Sequence, residues 1–404
     1  MTTEHETAVG TSGHMPSVRA RAERRAARRS QVTRRRRRAA IAAVLAGLIA
    51  PFGYSYVTTM LEPSSLPLGI RSVEWAREHG FRWLVNDAEN VWYRWHAPAK
   101  GGPALTTLPQ ITTPGTPARR AARHVALPDT LRLAIRPRLP GEGVWHPVGI
   151  GGSPVYVTTF RSDPVYPQNV AYLAWIDHSR TQLALYPGRY EPPSAPVRGP
   201  MQVPYGERWR LIAAFNSGFT YKDGQGGFAI DGKSYEPLRR GLATLVAHRN
   251  GSVNVQTWNG GPTPPRNIVL ARQNLPLIVV DGRPSSRLND SRAWGATLGN
   301  AIRVWRSGVG IDKRGNLIYA AANYQTVSSL ANILIRAGAV RAMQLDINAE
   351  WPSFNVFAAS GGRNAVKIVP NGQQQATRYL SPDDRDFFAV YRRIPHLSLS
   401  VPLK

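Results

Sequence analysis

The chain has 404 residues, 51 Lys and Arg against 25 Asp and Glu for a net charge of +26, and no cysteine. That length holds one large domain or two ordinary ones with a core that needs no staple, and the missing thiols exclude both a disulfide framework and a thiolate metal site. The charge says nothing about fold but selects anionic partners such as phosphopolymers, anionic lipid or nucleic acid.

Residues 1–38 read as a basic tail, in which Arg19, Arg21, Arg24, Arg25, Arg28 and Arg29 lead into the unbroken run Arg34 to Arg38, opposed only by Glu23. Ala39 to Leu61 then contains no charged residue. At helical rise that stretch exceeds the roughly 30 Å of a hydrocarbon core, so it reads as one membrane span in contact with lipid. Pro51 and Gly53 are tolerated in such a segment. The positive-inside rule keeps the tail cytoplasmic and sends the C-terminal portion out of the cell, a single-pass signal-anchor topology. A cleaved signal peptide competes with this reading, but the n-region is long and Gly53-Tyr54-Ser55 lacks the favoured alanines. A nucleic-acid arm is the third reading. The abutting apolar span argues against it, and no nucleic-acid partner is expected.

Residues 62–96 form an aromatic, membrane-proximal segment holding Trp75, Phe81, Trp83, Trp92, Tyr93 and Trp95. A helix there lies along the membrane surface or packs on the main domain, and the sequence leaves both open. Residues 97–126 carry Pro98, Pro103, Pro109, Pro114 and Pro117 without a sustained period and read as a linker, so the main domain is expected over 127–404.

Short apolar runs bounded by turn residues follow: Val155 to Phe160, Ala171 to Ile176, Gln182 to Tyr186, Leu211 to Phe215, Leu242 to His248 and Val253 to Trp258. Each is a predicted strand. Asn250-Gly251 predicts a hairpin between the last two, and Asp312 to Gly315 predicts another between Val309 and Ile318. Leu330, Ile333, Leu334 and Ala337 carry helical spacing, with Ser328 as the expected cap and Gly338 as the stop. Val340 to Ile347 reads as a buried strand. Extended through Glu350, it would set Asp346, Asn348 and Glu350 on one face. The expected class is α+β, a mixed, largely antiparallel sheet domain with few helices behind one transmembrane helix.

No zinc-type histidine spacing, phosphate-binding glycine loop or nucleophile elbow is present. Four features remain: Asn216, the glycines of Asp223 to Gly227, Arg303 and Arg306 around Trp305, and Asp346. Each also has a purely structural reading. Asn216 makes a turn, the glycines make a hairpin, the arginines are solvated, and Asp312 belongs to its own turn. Asp346 is the hardest to dismiss, because a carboxylate ending a core strand needs a partner or a purpose.

These segments resemble the phosphodiester glycosidase family. Phe215-Asn216-Ser217-Gly218-Phe219 is similar to its Asn-Gly-Gly-Phe-Phe signature, and Leu275 to Gly282 to its apolar segment ending in Asp-Gly. Arg306 to Asp312 is similar to its Arg-x-x-x-Gly-Ile-Asp element, and Leu330 to Asp346 to the helix and strand that end in Leu-Asp. The resemblance spans roughly residues 211–357 and marks a divergent, actinobacterial-type member. Leu345-Asp346-Ile347-Asn348-Ala349-Glu350-Trp351 stands where the family has Leu-Asp-Gly-Gly-Gly-Ser.

The resemblance implies hydrolysis of a sugar-1-phosphodiester, or a related glycosidic bond, in an anionic cell-wall glycopolymer outside the membrane. Such a site needs cations for the phosphate and a carboxylate beside an oxocarbenium-like centre. Asp346, Arg306 and Glu350 are the expected catalytic residues, with Arg303 second on the phosphate, Asn216 and Asn348 on hydroxyls and Trp351 stacked on a sugar ring. The resemblance names no certain cofactor, and Glu350 is a second carboxylate or the ligand of a divalent cation. Two rivals keep the fold: a non-catalytic tethered module binding anionic polysaccharide, and a metal-dependent phosphodiesterase holding a divalent cation near Asp346 and Glu350.

Overall fold

The computed structural model describes residues 18–111, 128–148, 153–194, 200–289, 294, 303–359, 362–372 and 374–394. Residues 1–17 of the basic tail and 112–126 of the expected linker lie outside them. The chain divides into two units, Met1–Glu62 and Pro63–Lys404.

The first unit carries one helix, α1 (Val18–Leu61), which runs unbroken through Pro51. Its Gln31–Leu61 portion is long and apolar enough to cross a membrane.

The second unit holds three sheets in which every described pairing is antiparallel. The first orders β1 (His146–Pro147), β2 (Val155–Asp163), β3 (Tyr166–Ile176), β14 (Leu317–Gln325), β13 (Val304–Ile311), β15 (Arg341–Ile347), β11 (Val279–Val280) and β12 (Arg283–Pro284). The second orders β7 (Lys233–Glu236), β6 (Phe228–Ile230), β10 (Ile268–Asn274), β8 (Ala243–His248) and β9 (Val253–Thr257). The third orders β17 (Arg363–Lys367), β16 (Phe354–Ala359), β5 (Leu211–Asn216), β18 (Phe387–Arg392) and β4 (Thr181–Tyr186). The α+β, mainly antiparallel class expected from the sequence is the one observed.

Strand alternation assembles these layers. Along β18, Phe388 and Val390 enter the central core while Phe387, Ala389 and Tyr391 enter a second cluster on the outer face of the third sheet. Along β14, Leu317, Tyr319 and Ala321 face the centre, and Ile318, Ala320 and Ala322 face a helix. The central core thus takes side chains from all three sheets, and the far side of the first sheet is sealed by α4 (Val327–Arg336), which buries Leu330, Ile333 and Leu334.

Both predicted hairpins form. Gly251 takes φ +83° with Ala247 opposite Val253, and Asp312 accepts from the amides of Arg314 and Asn316. The cap of α4 is Thr326 rather than Ser328. Its hydroxyl accepts from the Ser329 amide while Ser329 Oγ accepts from the Thr326 amide, so both orphan donors are met in one reciprocal pair. The strand carrying Asp346 ends at Ile347, three residues short of the extension through Glu350 expected from the sequence, so Asn348 and Glu350 do not continue its face.

Gly308, within Arg306 to Asp312, lets α4 approach β13. A Cβ at Gly308 would lie 2.9 Å from the Met343 carbonyl oxygen and 3.1 Å from Leu334 Cδ1. The carbonyl belongs to a paired strand and cannot retreat, so Gly308→Ala should destabilise the domain by about 1–3 kcal/mol, read as a lower urea midpoint.

The segments ahead of residue 127 join this unit. Helices α2 (Leu68–Glu78) and α3 (Arg82–Trp95) form a hairpin, and Leu105, Leu108 and Ile111 pack on the central core. The described part of the expected linker therefore contributes core side chains. Of the two open readings for residues 62–96, the helices take the second by one face: Leu66 and Ile70 cover Trp351, and Tyr93 clusters with Phe219, Val304 and Ile347.

Candidate functional site

Asp346 emerges at the C-terminal end of β15, where the first sheet meets the loops of the third. Ser307 pins its backbone, accepting from the Asp346 amide and donating to its carbonyl, both at 3.1 Å. Its Oδ1 accepts from the Ile347 amide at 2.8 Å, and its Oδ2 accepts from Arg385 Nη2 at 2.9 Å. The two side chains keep 9% and 11% of their surface exposed, so the ion pair reaches solvent at one edge.

Arg385 is the residue that sequence reasoning missed. It lies in Asp383-Asp384-Arg385-Asp386, just before β18, and each flanking acid has its own cation. Asp383 holds Arg378, Asp386 holds Arg272 at 2.7 Å and Asp384 lies 3.8 Å from Arg189. That leaves Arg385 to face Asp346. Gly188 permits the arrangement, since a Cβ there would sit 2.4 Å from the Arg385 carbonyl carbon. The guanidinium also donates to the Gly218 carbonyl at 3.2 Å and stacks 4.6 Å from the Trp351 ring. The available signal was three acids around one arginine at the mouth of an apolar run.

Around this pair, three buried polar atoms have no partner among the described residues: Arg385 Nε, Ser217 Oγ and Asn274 Oδ1. Asn274 is anchored through Nδ2 to the carbonyls of Gln344 and Leu345, beside Asp346, and a Cβ at Gly218 would touch its amide at 3.1 Å. Buried polar groups without partners cost free energy, so these three are candidates to bind polar groups of another molecule.

Burial dominates the local electrostatics. It pushes the Asp346 carboxyl up to about 7 against the attraction of Arg385. Glu191, whose Oε2 accepts from the Tyr221 amide, is likewise pushed up to about 7 by burial, with Arg385 pulling the other way. Both acids lose their proton near pH 4 when unfolded, so between about pH 4 and pH 7 the native state binds more protons than the unfolded chain. Stability should therefore fall as pH rises through that window and level off above it. Urea midpoints taken from pH 4 to 8 check this, and Asp346→Asn should remove part of the slope.

The other expected site residues are dispersed. Asn216 uses both amide hydrogens, on the Ser217 carbonyl and Ser307 Oγ, and both acceptor positions, for Tyr319 and the Ser353 amide. It ties three strands and a loop together instead of reaching for hydroxyls. Arg306 turns to the helix side of the sheet and donates to the Gln325 and Trp294 carbonyls and to Gln344, and burial lowers its pKa to about 10. Arg303 pairs with Asp163 at 3.2 Å beneath Tyr166. Asn348, at φ +88°, supplies the left-handed turn that a family glycine would make, and its Oδ1 accepts from the Glu350 amide. Glu350 faces Gly372. Trp351 is buried, with Arg378 5.2 Å and Arg385 4.6 Å from its ring, so its faces hold guanidinium groups where a sugar was expected.

A divalent ion does not fit this donor set. Asp346 Oδ2 is turned to a guanidinium and Glu350 to another loop, and among the described residues no three His, Asp or Glu side chains converge. A second, open groove lies between the β8–β9 and β13–β14 turns, lined by His248, Lys313, Arg314 and Arg341. Its carboxylate, Asp312, is consumed by Trp175, Asn316 and its own turn.

Residues 210–346 match the family model described as phosphodiester glycosidase, a stretch that opens at β5 and closes on Asp346 itself. The chain carries a phosphodiester glycosidase domain. It is thereby a hydrolase of glycosidase or phosphodiesterase type. Among solved structures, this glycosidase is similar to the catalytic domain of zebrafish N-acetylglucosamine-1-phosphodiester alpha-N-acetylglucosaminidase, at 14% identity over 59% of this chain and 84% of that one, TM-score 0.42. It is also similar to a hypothetical protein from Synechocystis, at 14% identity over 61% of this chain and 64% of that one, TM-score 0.37. No curated protein sequence matches it.

Proposed function

We propose that the glycosidase domain hydrolyses a sugar-1-phosphodiester in an anionic envelope glycopolymer, held outside the cell by α1 as a single-pass anchor. The observation that carries this reading is the Asp346–Arg385 pair with unpartnered polar atoms on Arg385, Ser217 and Asn274. Arg385 has Nε unused next to Nη2, and those two donors form the planar fork that suits two phosphate oxygens. Substrate phosphate arriving there competes with Asp346 for the guanidinium and frees the carboxylate. Asp346 then takes a proton from water as the water oxygen bonds the anomeric carbon. The C1–O bond breaks, and its electron pair leaves with the phosphomonoester, which Arg385 neutralises. Asn274 Oδ1 and Ser217 Oγ are placed to bind sugar hydroxyls.

The test is product analysis with the full chain and purified envelope phosphoglycans. Reducing sugar and phosphomonoester should appear in equal amounts. Free sugar without phosphomonoester, or alcohol with a sugar phosphate, would place the cleavage at another bond.

A further inference from the structure

Helix α3 has two apolar faces, and the fold uses only one. Tyr93 points into the domain, whereas Leu84, Ala88, Val91 and Trp95, spaced i, i+4, i+7 and i+11, form a single stripe on the opposite side. Leu84 is 52% exposed, Val91 47% and Trp95 82%, with Phe81 and Trp92 exposed along the same edge. A helix this short that already buries a core face has no folding reason to display such a stripe, and an exposed patch of this kind marks an interaction surface.

We infer that this outer face of the α2–α3 hairpin seats on a lipid bilayer. Two observations select lipid over a protein partner. The hairpin begins seven residues after Leu61, the end of the Gln31–Leu61 stretch that is long and apolar enough for a membrane span. Its exposed large side chains include three tryptophans, Trp83, Trp92 and Trp95, and a phenylalanine, the residues that favour the headgroup boundary, and Arg94 is exposed beside Trp95. The same hairpin covers Trp351 and pairs Arg82 with Asp223 at 3.0 Å, so seating it on lipid brings the Asp346–Arg385 pair close to the bilayer surface. Substrates carried at that surface, lipid-linked sugar phosphodiesters among them, would then be the accessible class. This last step rests on the function proposed above; the seating itself does not.

The test uses the full chain in nanodiscs of phosphatidylcholine and phosphatidylglycerol, with and without brominated acyl chains. α1 contains no tryptophan, so any quenching of tryptophan emission by bromine arises beyond Leu61. A clear loss of emission in brominated discs is expected, falling by half or more in the Trp92→Phe/Trp95→Phe variant, whose melting temperature verifies its fold. Quenching that is absent, or equal in the variant, overturns the proposal, as does failure of the chain to associate with the discs. Absent quenching joined to self-association that Leu84→Glu abolishes would assign the face to a second copy. None of these readouts uses turnover, so they stand or fall apart from the proposed reaction.

Discussion

Asp346→Asn is expected to lower kcat/KM on a sugar phosphodiester by about 10²–10⁴, the range associated with a positioned acid or base. The substitution keeps shape but leaves one acceptor where Arg385 and the Ile347 amide use two, and Ser307 continues to hold the backbone at this position. What it removes is the ability to accept the water proton and to stabilise positive charge at the anomeric carbon. The neighbouring acids are engaged elsewhere: Glu350 faces Gly372, Glu191 accepts from the Tyr221 amide, Asp223 pairs with Arg82 and Glu74 with Arg77. Steady-state kinetics beside near-UV circular dichroism decide the matter. A variant that is folded and retains turnover within tenfold of the parent would remove Asp346 from the chemistry.

Asp386→Ala should cost about 3–5 kcal/mol of stability, the largest loss expected from a single change outside the hydrophobic core. Asp386 binds Arg272 through both carboxylate oxygens, at 2.7 and 3.3 Å, with the two side chains 1% and 3% exposed. Removing the acid leaves a guanidinium buried between β10 and β18 with only the Phe219 and Gln273 carbonyls as acceptors. The paired replacement Arg272→Met/Asp386→Leu, which removes both charges, should recover most of the loss. Urea unfolding of the single and double variants measures both. Near-native stability in Asp386→Ala would mean that Arg272 finds another carboxylate, for which Glu191 is the nearest candidate by its electrostatic influence.

The sheets were legible because period-2 alternation is a local property, and each predicted strand appears within a few residues of its place. Asp346 was legible for a related reason, since a carboxylate inside an apolar strand announces its own cost. Arg385 was not, because its importance comes from four distant segments arranged in space: Gly188 behind it, Trp351 beneath it, Gly218 beside it and Asp346 before it. Arg306 misled for the converse reason. It stands in the matched motif beside Ser307, and on a strand adjacent side chains point to opposite faces, so the serine reaches the site and the arginine the helix. Asn348 shows how the lost glycines are absorbed in part, since asparagine tolerates the left-handed turn that one of them would have made.

The Asp346–Arg385 pair also sets an order of events in synthesis. The family-matched stretch ends at Asp346, but the cation comes from the segment that leads into β18, which is threaded between β4 and β5. A chain emerging from the N-terminus carries its acid while the third sheet still lacks the strand that joins β4 to β5. Competence therefore arrives late, when residues near 392 are free to insert. Under the proposed function, that timing would keep the hydrolase silent until its whole domain has been made.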